Sequence, residues 1–178
     1  MIKFYENILT KEQCNCIANG MLTKHALNST EKDNTIYSSG AYGFYDLPEA
    51  MYFVPMLHKS INRDYGNVVF VNNYTRIYGN GNQLKIHTDR EGLDITLSIC
   101  VFSDVDCDWP IYISNIAIDG PWCENLPVES YMTDSSPYLT SVGSGVACLG
   151  TKNPHWRDPL ICKDGQIVIQ AFYHWAFS

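Results

Sequence analysis

The chain has 178 residues, 46% of them hydrophobic and 13% aromatic, enough for one domain with its own core. Its formal net charge is -7 and it contains no lysine or arginine run, so the electrostatic footprint of a phosphate-backbone binder is missing. The longest apolar runs are a few residues, far short of the ~20 that a membrane-spanning helix needs.

Seven cysteines is an odd number, and MIKFYENILTKEQ carries no basic-then-apolar leader. Reduced thiols in a soluble, cytoplasmic protein are expected, not a disulfide framework. Thr10 and Gln13 have the form of a capping box, with Ile8 ahead as its staple. A helix from about Lys11 to about Leu22 follows, burying Ile17, Ala18 and Leu22. Cys14 and Cys16 leave such a helix on different faces, which speaks against a zinc site. The polar stretch NSTEKDNTIYSSGAYG reads as a loop. LPEAMYFVPMLHKSINRDYG is helical again, with Pro48 near its start, Gly66 past its end, and Pro55 kinking or splitting it.

From Val68 the pattern changes to short strands: VVFVNNYTRIYG, LKIHTD, DITLSICVF, WPIYIS, SVGSGVACLG and GQIVIQAFYHW. The turn signals GNGN, SDVDCD, DGPW, TKNP and KDG separate them, together with the run from Asp134 to Pro137. The fold class is α+β: a helical front section over about 1–66, then a β-barrel or jelly roll over about 67–178 that carries the chemistry. Residues 114–141, rich in turn signals, are a candidate lid.

In LKIHTD a histidine and an aspartate stand two apart, and residues i and i+2 of a strand share a face. His87 and Asp89 then supply two thirds of a 2-His-1-carboxylate triad, the set that holds Fe(II) with open positions. Five histidines are available. His25 and His58 sit in the helical front and His174 in the last strand. His155, in TKNPHWRDPL, is the choice for the third ligand. H-x-D alone is a chance-prone pattern; the flanking residues give it weight.

With those flanks, RIYGNGNQLKIHTDR, WPIYI and GSGVACLGTKNPHWRDPL, the chain resembles the Fe(II)/2-oxoglutarate-dependent dioxygenases, on the prolyl 4-hydroxylase-like side. The similarity runs from about Phe70 to Trp175. It implies a double-stranded β-helix (jelly-roll, cupin-like) core with supporting N-terminal helices. It also implies iron on His87, Asp89 and His155, with 2-oxoglutarate and O2 as cosubstrates and ascorbate as support. Tyr78 matches the tyrosine that meets the far carboxylate of 2-oxoglutarate. A cation belongs there too, yet GQIVIQAF, where the family carries it, has none. Arg157 is the first substitute and Arg76, on the face of Tyr78, the next; Arg90 and Lys163 are weaker, and an Arg157–Asp158 surface pair is the rival reading. Trp109, Tyr112 and Trp156 are candidates for a substrate mouth, with core packing as the alternative.

The resemblance implies hydroxylation of an unactivated C–H bond with release of succinate and CO2, the leaning being toward a prolyl residue of a protein or peptide. A small-molecule substrate is the neighbouring option; the acidic charge disfavours nucleic acid. Two other readings stay open: a cupin-like metal-dependent lyase or isomerase without 2-oxoglutarate, and a jelly-roll binding module that has lost the reaction.

Overall fold

The computed structural model describes residues 1–33, 40–119, 126 and 129–178. A short strand, β1 (Lys3–Tyr5), precedes the first helix, α1 (Lys11–Ala26). The capping box forms at its start: the Thr10 hydroxyl accepts from the Gln13 amide, and the Gln13 side chain accepts from the Thr10 N–H. Ile17 and Ala18 are buried as expected, joined by Cys14 and Met21, while Cys16 is exposed.

The stretch read as a loop is partly strand. β2 (Glu31–Asp33) pairs with β3 (Ala41–Tyr45), and β3 continues onto β4 (Val68–Tyr78). An existing ladder edge here recruits polar residues whose own pattern gives no strand signal. Between β3 and β4 in the chain come two helices, α2 (Pro48–Met51) and α3 (Val54–Tyr65). Pro55 splits the helical pattern by opening the second helix, where its missing N–H costs nothing. Gly66 ends it at φ +90°, a conformation that side chains rarely adopt.

The remaining strands are β5 (Leu84–His87), β6 (Ile95–Ser103), β7 (Ile111–Ser114), β8 (Ser135–Tyr138), β9 (Gly145–Cys148), β10 (His155–Arg157) and β11 (Val168–Phe177), with the single-turn helix α4 (Glu129–Met132) before β8. Ser135, Ser136 and Pro137 are therefore strand where a turn was expected. β8 lies at a sheet edge, where Pro137 is tolerated. The proposed lid at 114–141 lies partly outside the described residues.

Two sheets result, ordered β1-β9-β6-β11-β4-β3-β2 and β5-β10-β7-β8. On one face of the larger sheet, Leu97, Ile99, Ala171, Tyr173 and Trp175 pack against Ile17, Met21, Leu57 and Ile61 of the helices. Alternation sends the other side chains inward: Arg76 and Tyr78 from β4, Thr96, Ser98 and Cys100 from β6, Gln170, Phe172 and His174 from β11. The smaller sheet closes over this face, joined to it by Ile111 and Ile113 against Val146 and Cys148. This is the jelly-roll core with helices supporting one side. Among the described residues no helix is long and apolar enough to cross a membrane.

Candidate metal centre

His87 and His155 are register partners across β5 and β10, with ring centroids 4.4 Å apart. Asp89 lies just beyond the end of β5, not within the strand as the H-x-D reading had it. Its N–H donates to the Gly150 carbonyl at 2.8 Å, which turns the chain and brings its carboxylate between the imidazoles. Asp89 Oδ1 is 3.7 Å from His87 Nε2 and 3.8 Å from His155 Nε2. One ligand atom from each of the three lies within 4.8 Å of the others, and no other such group occurs among the described residues.

The donor set fits a divalent metal. His87 Nδ1 lies 2.7 Å from the Lys85 carbonyl and His155 Nδ1 2.9 Å from the Asn153 carbonyl. A carbonyl only accepts, so both Nδ1 atoms carry a proton and the Nε2 atoms are the positions through which the rings could bind a metal. Burial, with the neighbouring His155, pushes the His87 pKa down to about 3, so its imidazole is neutral without a metal. Burial works to raise the Asp89 pKa, but the nearby histidines and the Thr96 hydroxyl outweigh it and hold the carboxyl below its ordinary range. Thr96 Oγ1 donates to Asp89 Oδ2, leaving Oδ1 toward the imidazoles. Gly150 completes the cradle: any Cβ there would run into the Asp89 carboxylate.

The other histidines stand apart from this group. His25 pairs with Thr30, and His58 Nδ1 accepts from the Trp175 indole. His174 is nearer, inside the barrel, where burial lowers its pKa to about 4. Its Nδ1 donates to Asn72 Oδ1 at 2.7 Å.

Arg157 is not a surface residue paired with Asp158. It is 1% exposed and crosses the barrel interior. Nη1 donates to the Trp109 carbonyl at 2.7 Å, and Nη2 donates to Gln170 Oε1 at 3.2 Å and Ser98 Oγ at 3.5 Å. The guanidinium lies over the Trp109 ring, 4.8 Å from its centroid, and Nε is buried without a partner. Burial lowers its pKa to about 10, which still leaves it cationic at neutral pH. Tyr78, fully buried, stacks edge-on against Trp109 and accepts from Arg76 Nη1 at 3.4 Å. Lys163 is at the surface in an ion pair with Asp106.

Of the three aromatic candidates, Trp109 borders this cation, whereas Trp156 leaves the opposite face of β10 and stacks on Tyr112. Sequence reasoning missed Thr96, Gly150, Asn153, Ser98 and Gln170. Gly150 alone had a visible signal, as the glycine ending the strand before His155.

Neither the family models nor the curated proteins yield a match to this chain. Solved structures do match. A prolyl 4-hydroxylase from Pseudomonas putida superposes with a TM-score of 0.71 at 13% identity, covering 99% of this chain and 92% of that one. A prolyl hydroxylase from Trichoplax adhaerens, solved with a peptide fragment of hypoxia inducible factor, gives 0.70 at 11% identity over 97% and 83%. HygX from Streptomyces hygroscopicus, with nickel and 2-oxoglutarate bound, gives 0.65 at 10% identity over 99% and 83%. The chain thus has the jelly-roll fold of prolyl hydroxylases and other 2-oxoglutarate-dependent oxygenases. An epimerase and a carbocyclase of nogalamycin biosynthesis share that fold, so the fold by itself fixes no reaction.

Proposed function

We propose that the chain is an Fe(II)- and 2-oxoglutarate-dependent oxygenase that hydroxylates an unactivated C–H bond, with a prolyl residue of a protein or peptide as its substrate. One observation carries this reading. The His87–Asp89–His155 group shares a barrel with Arg157, a buried cation that meets no carboxylate among the described residues. The first fits a metal with open positions, and the second fits the far end of a dicarboxylate.

His87 and His155 would hold the metal through Nε2 and Asp89 through Oδ1, with Thr96 keeping Oδ2 occupied. Iron with 2-oxoglutarate and O2 would supply an oxidant able to break a C–H bond, one oxygen atom of O2 ending in succinate, released with CO2, and the other in the hydroxylated product. Arg157 anchors the cosubstrate's distal carboxylate and Tyr78 its neighbourhood, with Arg76 held beside Tyr78. Phe172, Trp109, Leu160 and Val168 wall this end of the barrel, keeping water from the charged pair and strengthening it. A reading without 2-oxoglutarate draws its support from the missing cation on the last strand; the buried cation of Arg157 supports the reading with it.

The prolyl preference takes its support from the neighbours that are prolyl hydroxylases, one of them solved with a peptide. Purified protein given Fe(II), ascorbate and 2-oxoglutarate is expected to release succinate. Proline-containing peptides are expected to raise that release and gain the mass of one oxygen. If 2-oxoglutarate neither binds nor is consumed, the oxygenase reading fails; if it is consumed while every prolyl peptide stays unmodified, only the substrate assignment fails.

A further inference from the structure

Among the described residues, the groups that hydrogen-bond to or stack on the Arg157 guanidinium are neutral: the Trp109 carbonyl, the Ser98 hydroxyl, the Gln170 amide and the Trp109 ring. A buried cation without a counter-ion is costly, and proteins ordinarily supply a carboxylate. Position 170 is where one would go. Gln170 is 1% exposed, sits on the inward face of β11, and its Oε1 accepts from both Arg157 Nη2 at 3.2 Å and Ser98 Oγ at 3.4 Å. Glutamate has the same shape and would place a full negative charge at the same distance.

We infer that Gln170 is a positioning residue whose neutral amide aims the Arg157 guanidinium without neutralising it, reserving that charge for the distal carboxylate of a bound dicarboxylate. The inference rests on Arg157 as the cosubstrate anchor proposed above. It also accounts for the absence of a basic residue in GQIVIQAF. The last strand supplies not the cation but the acceptor that orients a cation borne by β10. An oxygen acceptor at 170 fixes the guanidinium laterally, Trp109 fixes it from its face, and the buried Nε is left with its hydrogen bond unmade. The ligand class is a 2-oxo acid with a second carboxylate that reaches Arg157 while its other end lies at the His87–Asp89–His155 group.

The test compares wild type with Gln170→Glu, both loaded with Mn(II), titrated calorimetrically with 2-oxoglutarate and with 2-oxobutyrate, which lacks the distal carboxylate. Gln170→Glu is expected to bind 2-oxoglutarate at least tenfold more weakly, with Mn(II) and 2-oxobutyrate affinities unchanged. Its metal-free melting temperature is expected to rise, because the internal pair satisfies the buried cation. A merely structural glutamine would lower melting temperature and all three affinities together. Equal 2-oxoglutarate affinity in the two proteins overturns the inference. Should wild type itself ignore 2-oxoglutarate, the cosubstrate reading fails separately; the melting comparison then decides whether a carboxylate at 170 captures Arg157, and no rise overturns it. If Gln170→Glu does not fold, Gln170→Met takes its place: it keeps the volume, removes the acceptor, and is expected to weaken 2-oxoglutarate binding several-fold, unchanged binding again overturning the inference.

Discussion

Gly150 packs directly beneath the carboxylate of Asp89. A Cβ at position 150 would overlap Asp89 Oδ2 and stand 2.5 Å from Thr96 Oγ1 and 2.9 Å from the Leu93 carbonyl. The Leu93 carbonyl is backbone and the Asp89 and Thr96 oxygens are tied to each other by a hydrogen bond, so the neighbours cannot swing away. Gly150→Ala is expected to displace the carboxylate, weaken divalent metal binding at least tenfold, and cost about 1–3 kcal/mol of stability. Thr96→Val removes only the hydrogen bond to Oδ2, and its metal affinity should fall by about 10–100-fold with a smaller stability loss. Metal titration of the two variants checks both; wild-type affinity in Gly150→Ala would mean that Asp89 is not a ligand.

The choice of His155 over His174 makes a second prediction. Both imidazoles are buried, but His155 Nε2 faces Asp89 Oδ1 at 3.8 Å, while His174 is tied through Nδ1 to Asn72. His87→Ala and His155→Ala are each expected to abolish stoichiometric metal retention after desalting, and turnover with it. His174→Ala is expected to retain the metal. Metal analysis of the three proteins decides, and loss of the ion from His174→Ala would assign the wrong histidine.

Much of this site was legible in the sequence because the relevant signals are local. The capping box at Thr10 and Gln13 needs only four residues, and alternation from Val68 onward reports which side chains face inward. His87 and Asp89 form a chance-prone pattern, and they and His155 gained their weight from the flanking motifs. What stayed hidden depends on pairing. Glu31–Asp33 is a strand because β3 offers it an edge, and Ser135–Tyr138 because Tyr112 lies opposite Pro137. Gln170 carries no signal of its own within GQIVIQAF; its meaning comes from Arg157, 13 residues away in sequence and 3.2 Å away in space. Likewise no pattern shows that Gly150 lies under Asp89.

The helical layer packs on one face of the larger sheet and the metal group, borne by the smaller sheet, lies on the other side of it, which separates fold from site. Ile17 is fully buried between α1 and that sheet. Ile17→Ala is expected to cost about 2–5 kcal/mol, the range for a large-to-small core change, while the folded protein keeps wild-type metal affinity. Urea denaturation gives the first quantity and metal titration of the folded protein the second. A parallel loss of metal affinity would show the helices to be coupled to the centre through β6 and β11.

Acid should unfold the metal-free protein at a higher pH than its carboxylates alone would. In the fold the pKa values of His87 and His174 are lowered to about 3 and about 4, against about 6.5 for histidine in an unfolded chain. Between those values the unfolded chain binds protons that the folded one refuses, so stability is whole above about pH 6.5 and falls as the pH drops. The Asp89 carboxyl, held below its usual range, acts in the same direction at still lower pH. Each histidine contributes a loss of about 2 kcal/mol between pH 7 and pH 5. Denaturation midpoints at the two pH values measure it, and His174→Gln is expected to remove about half of the drop. Bound divalent metal, which competes with protons for His87 and His155, is expected to shift the onset to lower pH; a stability profile flat from pH 7 to pH 5 would mean that these imidazoles are already protonated in the fold.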